Sequence, residues 1–464
     1  MRKLAPLALF CALLVGCAVG PNYKRPSVNV PDTYRGLTTE EAAKAESASL
    51  GNQKWWEVFQ DEQLQELIRT ALQQNYDVRI AATRILQAQT QLGITRAGQL
   101  PTIAGGAEAT NQRSPQSRFL PAFDTSANQV NLSLSWELDF WGKFRRATEA
   151  ARANVLATQW ARQAVMSTLV SSVAAAYFQL RELDLELEIS KRTLTSRQDS
   201  LRLTQLLADG GATSMLDVRQ AEQLVYTAAK QIPDLERLIE QQENFISILL
   251  GHNPASVPRG RELTEQRHAP EVPAGLPSSL LERRPDIRQA EQELIAFNAR
   301  IGVAKAAYFP QITLTGTGGY QSSALTSLFT GPAGLWNFGG SLTQPIFAGG
   351  RIRSGVRFAE AQQQEAVLVY QQRIQQSFRE VSDALVAYRK NQEFRMQQEL
   401  LTQSAQDAAR LSGMRYRGGV TSYLEVLTNE TNYFSAELNL TQAQLNELLA
   451  LVQLYKALGG GWQQ

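Results

Sequence analysis

Two hydrophobic periods alternate along this chain, and the alternation happens twice. Leu64, Leu67, Ile68, Ala71 and Leu72 recur at steps of three and four, which predicts helix from Asp61 to about Gly98, stopped by Pro101. Beyond that proline the period shortens to two. Val130, Leu132, Leu134, Trp136 and Leu138 alternate with Asn131, Ser133, Ser135, Glu137 and Asp139, so Gln129–Phe140 reads as a strand. Thr102–Gln112 is a weaker strand, joined to it by a loop over 113–128. From Lys143 to Asp209 there is neither glycine nor proline, and at 1.5 Å per residue such a helix runs roughly 100 Å. Val173, Ala176, Leu180, Leu183, Leu187, Leu194 and Leu201 mark a coiled-coil seam along it. A shorter helix returns over about 214–250.

The second pass begins at Pro285, a residue suited to a first helical position. Asp77, Arg79, Ala81, Gly93 and Pro101 align with Asp286, Arg288, Ala290, Gly302 and Pro310 at a constant offset. Ile312, Leu314, Gly316, Gly318 and Tyr320 alternate with Thr313, Thr315, Thr317 and Gly319 over Gln311–Gln321, and Trp336–Phe347 is the weaker partner strand across a 322–334 loop. Arg351–Arg417 repeats the long helix without proline, and a helix over about 422–458 returns, seamed by Leu438, Leu445, Leu448, Val452 and Tyr455. Repetition on this scale predicts two copies of one structural unit, residues 61–250 and 278–464, around a proline-rich linker at 251–277.

Each long helical stretch is followed by a nine-residue segment that recurs. Gly210-Gly211-Ala212-Thr213-Ser214-Met215-Leu216-Asp217-Val218 returns as Gly418-Gly419-Val420-Thr421-Ser422-Tyr423-Leu424-Glu425-Val426, six of nine identical. The glycine pair predicts a left-handed helix terminus, since glycine adopts positive φ without steric cost. Ser214 and Ser422 are expected to cap the following helices, with Asp217 and Glu425 reaching back to the cap N–H as a capping box.

The N-terminus changes the picture. Arg2 and Lys3 precede an apolar run from Leu4 to Val15, too short to span a bilayer and suited to a signal peptide over residues 1–16. Leu14-Val15-Gly16-Cys17 has the form of a lipobox, so Cys17 is the candidate lipidation site, and Ala18 carries no acidic inner-membrane retention signal. Residues 17–60 then read as a lipid-anchored extension, docked by Trp55, Trp56 and Phe59. Cys11 leaves with the signal, so the mature chain has no disulfide. Of the 46 basic residues, 44 survive that cleavage against 44 acidic ones, a balance that gives no support for nucleic-acid binding. His252 and His268 lie in or beside the linker. No metal cluster, nucleophile–base pair or phosphate-binding glycine loop is legible, so neither an enzyme nor a cofactor is expected.

Shape then limits function. Four amphipathic strands per chain cannot close a bacterial barrel, which needs at least eight. An open edge cannot sit in lipid with its N–H and C=O groups unpaired. Either the sheet is soluble, or several chains share one barrel; three chains would bring twelve strands and a ring of long helices, with small polar faces lining water.

Several stretches carry a family resemblance: Gly16-Cys17-Ala18-Val19-Gly20-Pro21-Asn22-Tyr23, Trp55-Trp56 with Phe59, Leu276 to Ile287 with its Arg283-Arg284-Pro285-Asp286 core, Ile301 to Pro310, and Ala457-Leu458-Gly459-Gly460-Gly461-Trp462. The chain resembles the outer-membrane factors of the TolC and OprM family, in their lipoprotein branch. The resemblance implies a mainly α fold with a transmembrane β-barrel: a homotrimer whose twelve-stranded barrel is continued by a helical coiled-coil tunnel in the periplasm. It implies the exit duct of a tripartite pump that exports small toxic compounds, anchored in outer-membrane lipid. The partners implied are a periplasmic adaptor and an inner-membrane transporter of the resistance-nodulation-division type.

Carried over by position, the family's gate falls on the repeated turns. Leu424 matches an apolar constriction, Glu425 an upper acidic ring, and Thr428 a lower ring that is not acidic here. Asp217 and Tyr416 match a tyrosine–aspartate latch, whose arginine falls on Thr421 and is missing. Asp217 and Glu425 also suit plain helix capping, and the two roles are compatible. Two other readings stay open: a duct for type I protein secretion, and a periplasmic adaptor, which would need a single hairpin flanked by β domains.

Overall fold

The computed structural model describes residues 18–35, 49–119, 121–266 and 275–462. Cys17 and His268 lie outside the described residues. The elements are α1 (Trp55–Val58), α2 (Glu62–Gln74), α3 (Tyr76–Ala97), β1 (Thr102–Ser114), β2 (Phe123–Glu137), α4 (Lys143–Asp209) and α5 (Met215–Leu250). They are followed by α6 (Pro277–Arg283), α7 (Pro285–Ala306), β3 (Gln311–Ser322), β4 (Gly334–Thr343), α8 (Arg351–Arg417) and α9 (Tyr423–Ala457). Among the described residues, no helix is long and apolar enough to cross a membrane.

The contacts divide the chain into two compact units. One comprises residues 18–27, 84–159 and 289–371 and holds the sheet. Its strands lie in sequence order, β1-β2-β3-β4, each antiparallel to the next. The register aligns Ile103 with Leu134, Leu132 with Gly318, Trp136 with Leu314, Gly316 with Phe338, and Ile312 with Leu342. Side chains alternate across a strand, so all these residues share one face. Ser133 with Thr317, and Thr315 with Gly339, fall on the other. The apolar face is bare in the single chain: Trp336 is 84% exposed and Phe338 72%. β1 and β4 are both edge strands, and edges of this length call for a partner strand.

The strands run longer than hydrophobic alternation predicts at one end. β2 begins at Phe123, inside the stretch read as loop, and pairs Asp124 with Arg113 and Phe123 with Ser114. Only Phe123 and Ala127 are apolar over Phe123–Asn128, too few to register as alternation, yet the ladder continues there. Conversely, β4 ends at Thr343, and Gln344–Phe347 are not strand.

Residues 18–27 belong to this sheet-bearing unit. Val19 donates its N–H to the Trp141 carbonyl at 3.0 Å. Arg146 donates to the Asn22 side chain at 2.8 Å, and Asn298 to the Pro21 carbonyl at 3.0 Å. Gly20 and Gly302 meet backbone to backbone, and a Cβ built on Gly20 would lie 2.5 Å from the Gly302 Cα. Only glycine fits at either position, which accounts for Gly20 and Gly302.

The other unit comprises the described parts of residues 28–83, 160–288 and 372–464, and its core is helical. Ile68, Val173, Tyr177, Leu180, Leu235, Ile246, Leu280, Val381 and Leu454 share one apolar cluster. Trp55 and Phe59 are buried in it, and Phe59 meets the Tyr455 ring edge-on at 5.8 Å. The helix expected from Asp61 to Gly98 is two helices. Asn75 breaks it: its side-chain oxygen accepts from the N–H groups of Asp77 and Val78, at 2.8 and 3.3 Å, capping α3. Its amide donates to the Leu249 carbonyl at 2.9 Å, near the end of α5. Pro233 lies inside α5 without ending it. Leu235 and Ile239, just beyond it, are buried in the core and hold the helix through the missing hydrogen bond.

Buried polar groups tie this unit together. Arg284 grips both oxygens of Asp286 at 2.9 and 2.7 Å, Glu380 on α8 at 2.7 Å, and the Ala457 carbonyl at 3.2 Å. Burial alone would raise the Asp286 carboxyl, but hydrogen bonding and charge from Arg284 outweigh it and hold the group below the usual range. Asp61 caps α2 by accepting from Gln63 and Leu64, and accepts as well from Tyr177 and Gln266, each at 3.0 Å.

Candidate functional site

The repeated turns form two helix ends of one geometry, both within the helical unit. At the end of α4, Ala212 N donates to the Leu207 carbonyl at 2.8 Å and Gly211 N to Ala208 at 3.0 Å. At the end of α8, Val420 N donates to Arg415 at 3.0 Å and Gly419 N to Tyr416 at 2.9 Å. These are paired Schellman bonds, and they place Gly211 at φ +70° and Gly419 at φ +72°. A Cβ on either glycine would meet no neighbour, so backbone conformation alone selects glycine there.

The helix starts differ. Ser214 caps α5 as expected: it accepts from Asp217 N at 3.4 Å while Asp217 accepts from Ser214 N at 3.2 Å. Asp217 also accepts from the Thr213 hydroxyl, which is the main cause holding its carboxyl below the ordinary range. The corresponding box at α9 does not form, and Ser422 makes no side-chain cap bond. Glutamate is one methylene longer than aspartate. Glu425 turns away from the cap, accepting from the Thr421 hydroxyl and pairing with Arg415 on α8 at 3.4 Å.

Tyr416 and Asp217 do not touch directly. The Tyr416 hydroxyl donates to Thr213 Oγ1 at 3.4 Å, and Thr213 donates to Asp217, so a threonine relays the contact within one chain. Tyr416 also meets the Tyr423 ring edge-on at 5.2 Å. Tyr423, Val426 and Ala221 form a small buried cluster with Leu201 and Tyr416 packed on it. This cluster joins the two hairpins, and sequence reasoning missed it; the signal was the aromatic Tyr423 standing where the first repeat has Met215. Arg415 was missed too, being outside the nine-residue repeat.

Leu424 is 56% exposed, immediately beside the buried Tyr423. Its counterpart Leu216 is likewise exposed. Thr428 points its hydroxyl back to the Leu424 carbonyl at 2.9 Å. The turns thus present bare leucines on the first turns of α5 and α9.

A family model described as outer membrane efflux protein matches residues 67–252 and 276–460. The chain belongs to the outer membrane efflux protein family. Among its relatives, the solvent efflux pump outer membrane protein SrpC of Pseudomonas putida is 37% identical over 466 residues, covering 99% of both chains. The cation efflux system protein CusC of Escherichia coli is 35% identical, covering 100% of this chain and 99% of that one. The open-state crystal structure of the MtrE outer membrane channel of Neisseria gonorrhoeae superposes with a TM-score of 0.86 at 32% identity, covering 96% of this chain and 99% of that one.

This outer membrane efflux protein is therefore a channel protein, one protomer of a homotrimer with a β-barrel and a helical tunnel, located in the outer membrane of a Gram-negative bacterium. It works with a periplasmic adaptor and an inner-membrane transporter in a tripartite efflux pump. The sheet now has its physical reason. The bare apolar face with Trp336 and Phe338 meets lipid, the serine and threonine face lines water, and the two open edges are closed by neighbouring chains.

Proposed function

We propose that this efflux channel is shut at the Gly210–Asp217 and Gly418–Glu425 turns by an apolar ring of three Leu424 side chains, one from each protomer. The observation that carries the reading is the exposure of Leu424 beside a buried Tyr423: the fold covers one side chain and leaves the next bare. Around a threefold axis, three such leucines exclude ions by apolar contact. Glu425 adds little charge to the ring, because Arg415 pairs with it. Thr428 contributes none. The Tyr416–Thr213–Asp217 relay and the Tyr423 cluster hold the two hairpins together behind the ring. The inner-membrane partner is of the resistance-nodulation-division type and supplies the driving force, so the chain itself carries out no catalysis. Cys17 bears the lipid anchor.

The relatives named for solvents and for cations show that cargo is not fixed by this fold. The even charge balance and small polar lumen face suit apolar or weakly charged small compounds. The test is accumulation of a fluorescent apolar efflux dye in cells lacking the protein. Restoring the chain should lower accumulation severalfold in the presence of the adaptor and transporter; unchanged accumulation in such cells would count against a small-molecule duct.

A further inference from the structure

The strand face that lines water carries almost no charge. Within β1–β4 the acidic and basic residues are Glu108, Arg113, Asp124 and Glu137, and no others. Arg113 and Asp124 are register partners at the turn end of the β1–β2 hairpin, on the face shared with Ile103 and Leu134, and their side chains lie 3.8 Å apart. Glu137 ends β2 on the water-lining face and is neutralised by Lys143 at 2.8 Å, with Gln311 donating to its other oxygen at 2.7 Å.

That leaves Glu108. It stands opposite Gln129, which in turn stands opposite Gln321, so a carboxylate and two amides form one row across three strands. Alternation along β1 and β2 puts this row on the same face as Ser133 and Thr317, the face that lines water. Glu108 is exposed, and among the described residues no basic side chain pairs with it. The nearest unpaired basic residue along the hairpin is Arg118, in the loop beyond Ser114, and β1 alone puts roughly 20 Å between Glu108 and that loop.

We propose that Glu108 sets the charge preference of the barrel: its three copies in the trimer form a carboxylate ring that concentrates cationic compounds in the lumen and keeps anionic ones out. Twelve strands about 4.8 Å apart and tilted by about 40° give a barrel radius of roughly 12 Å, which leaves each carboxylate about 8 Å from the axis. At about 0.1 M salt the screening length is about 10 Å, and three such charges in water enrich a monovalent cation on the axis about threefold and deplete an anion by the same factor. At about 1 M the screening length falls to about 3 Å and the preference disappears. The inference rests on the small-compound reading above for the cargo it favours, which it narrows to positively charged compounds. The potential itself belongs to the barrel and is independent of the Leu424 ring and of the dye-efflux result.

The test reads that potential without passing current through the gate. Gln129→Cys puts a thiol beside Glu108 in full-length trimers in isolated outer membranes, and its modification is timed with two methanethiosulfonates, one bearing a trimethylammonium group and the other a sulfonate. At about 0.1 M salt the ratio of cationic to anionic rate should be about three- to tenfold higher with Glu108 present than in Glu108→Gln, and the excess should vanish at about 1 M. Any effect of the carboxylate on the thiol itself slows both reagents alike and cancels in the ratio. Adding Gln321→Glu to Glu108→Gln, which returns a carboxylate to the other side of position 129, should restore the ratio. Should Glu108→Gln fail to assemble, the salt dependence measured with Glu108 in place decides alone. Equal ratios with and without Glu108, a ratio indifferent to salt, no rescue by Gln321→Glu, or a thiol that neither reagent reaches would overturn the proposal.

Discussion

Replacing Arg284 with methionine should do more damage than any surface change in this protein. The side chain is buried and serves three acceptors: the Asp286 carboxylate, the Glu380 carboxylate and the Ala457 carbonyl. Methionine replaces the apolar stem and drops the guanidinium, so the larger part of the loss is electrostatic. Two carboxylates then share a site with no cation. Breaking a buried ion pair from one side costs about 3–5 kcal/mol. At 1.4 kcal/mol per factor of ten, that is a shift of roughly a hundredfold to a few thousandfold toward the unfolded chain. The site lies where α6, α7, α8 and the end of α9 converge, so the loss should appear as heat-induced dissociation of the trimer at lower temperature, read on semi-native gels. Neutralising the stranded acids as well, in Arg284→Met with Asp286→Asn and Glu380→Gln, should recover part of it. If the single variant dissociates with the parent, or the triple variant is no better than the single, the buried charges are not what holds this junction.

Further outcomes follow from other residues. Gly211→Ala and Gly419→Ala should each cost about 1–2 kcal/mol through backbone strain alone, because their positive φ disfavours any side chain while space is free; hydrogen exchange should show faster opening confined to the turn. Because Arg284 depresses the folded-state pKa of Asp286, its contribution is fully present above the unfolded aspartate value of about 3.9 and disappears as pH falls through the lower folded value; thermal stability should therefore drop below about pH 4, and less steeply in Asp286→Asn. Cys17→Ser should abolish the acyl mass increment on the N-terminal peptide yet leave trimers in the outer membrane, since one lipid anchor is weak beside a folded barrel.

Most of the helical and strand elements were legible because the periods were clean. The two long helices begin just after Gly142 and Gly350 and end just before Gly210 and Gly418, although the second runs through Gly355 and Gly413, and the Schellman turns follow from the glycine pairs alone. What escaped was set by partners distant in sequence. Asn75 looks like an ordinary polar position in a helix until the end of α5 supplies the Leu249 carbonyl for its amide. The β1–β2 hairpin extends through Phe123–Asn128, where Phe123 and Ala127 alone are apolar and the alternation is too sparse to register. Pro233 should break α5 by its own chemistry, and the core overrides it. At the site, local pattern forecast the Ser214 box correctly. It failed at Ser422 because one extra methylene and an arginine on another helix redirected Glu425. Thr213, the relay between Tyr416 and Asp217, was part of the repeat but carried no signal of its contact with the other hairpin.

The proposed gate stands or falls on Leu424. The decisive measurement is single-channel conductance of Leu424→Ala trimers in planar bilayers, beside the parent and Asp217→Ala. Alanine removes most of the apolar bulk from each of three facing side chains, so the variant should open to a conductance severalfold above the parent without adaptor or ligand. Asp217→Ala should move in the same direction but less, through loss of a cap worth about 1 kcal/mol and of the relay to Tyr416. A Leu424→Ala trimer that assembles normally and conducts like the parent would place the constriction elsewhere and contradict the account.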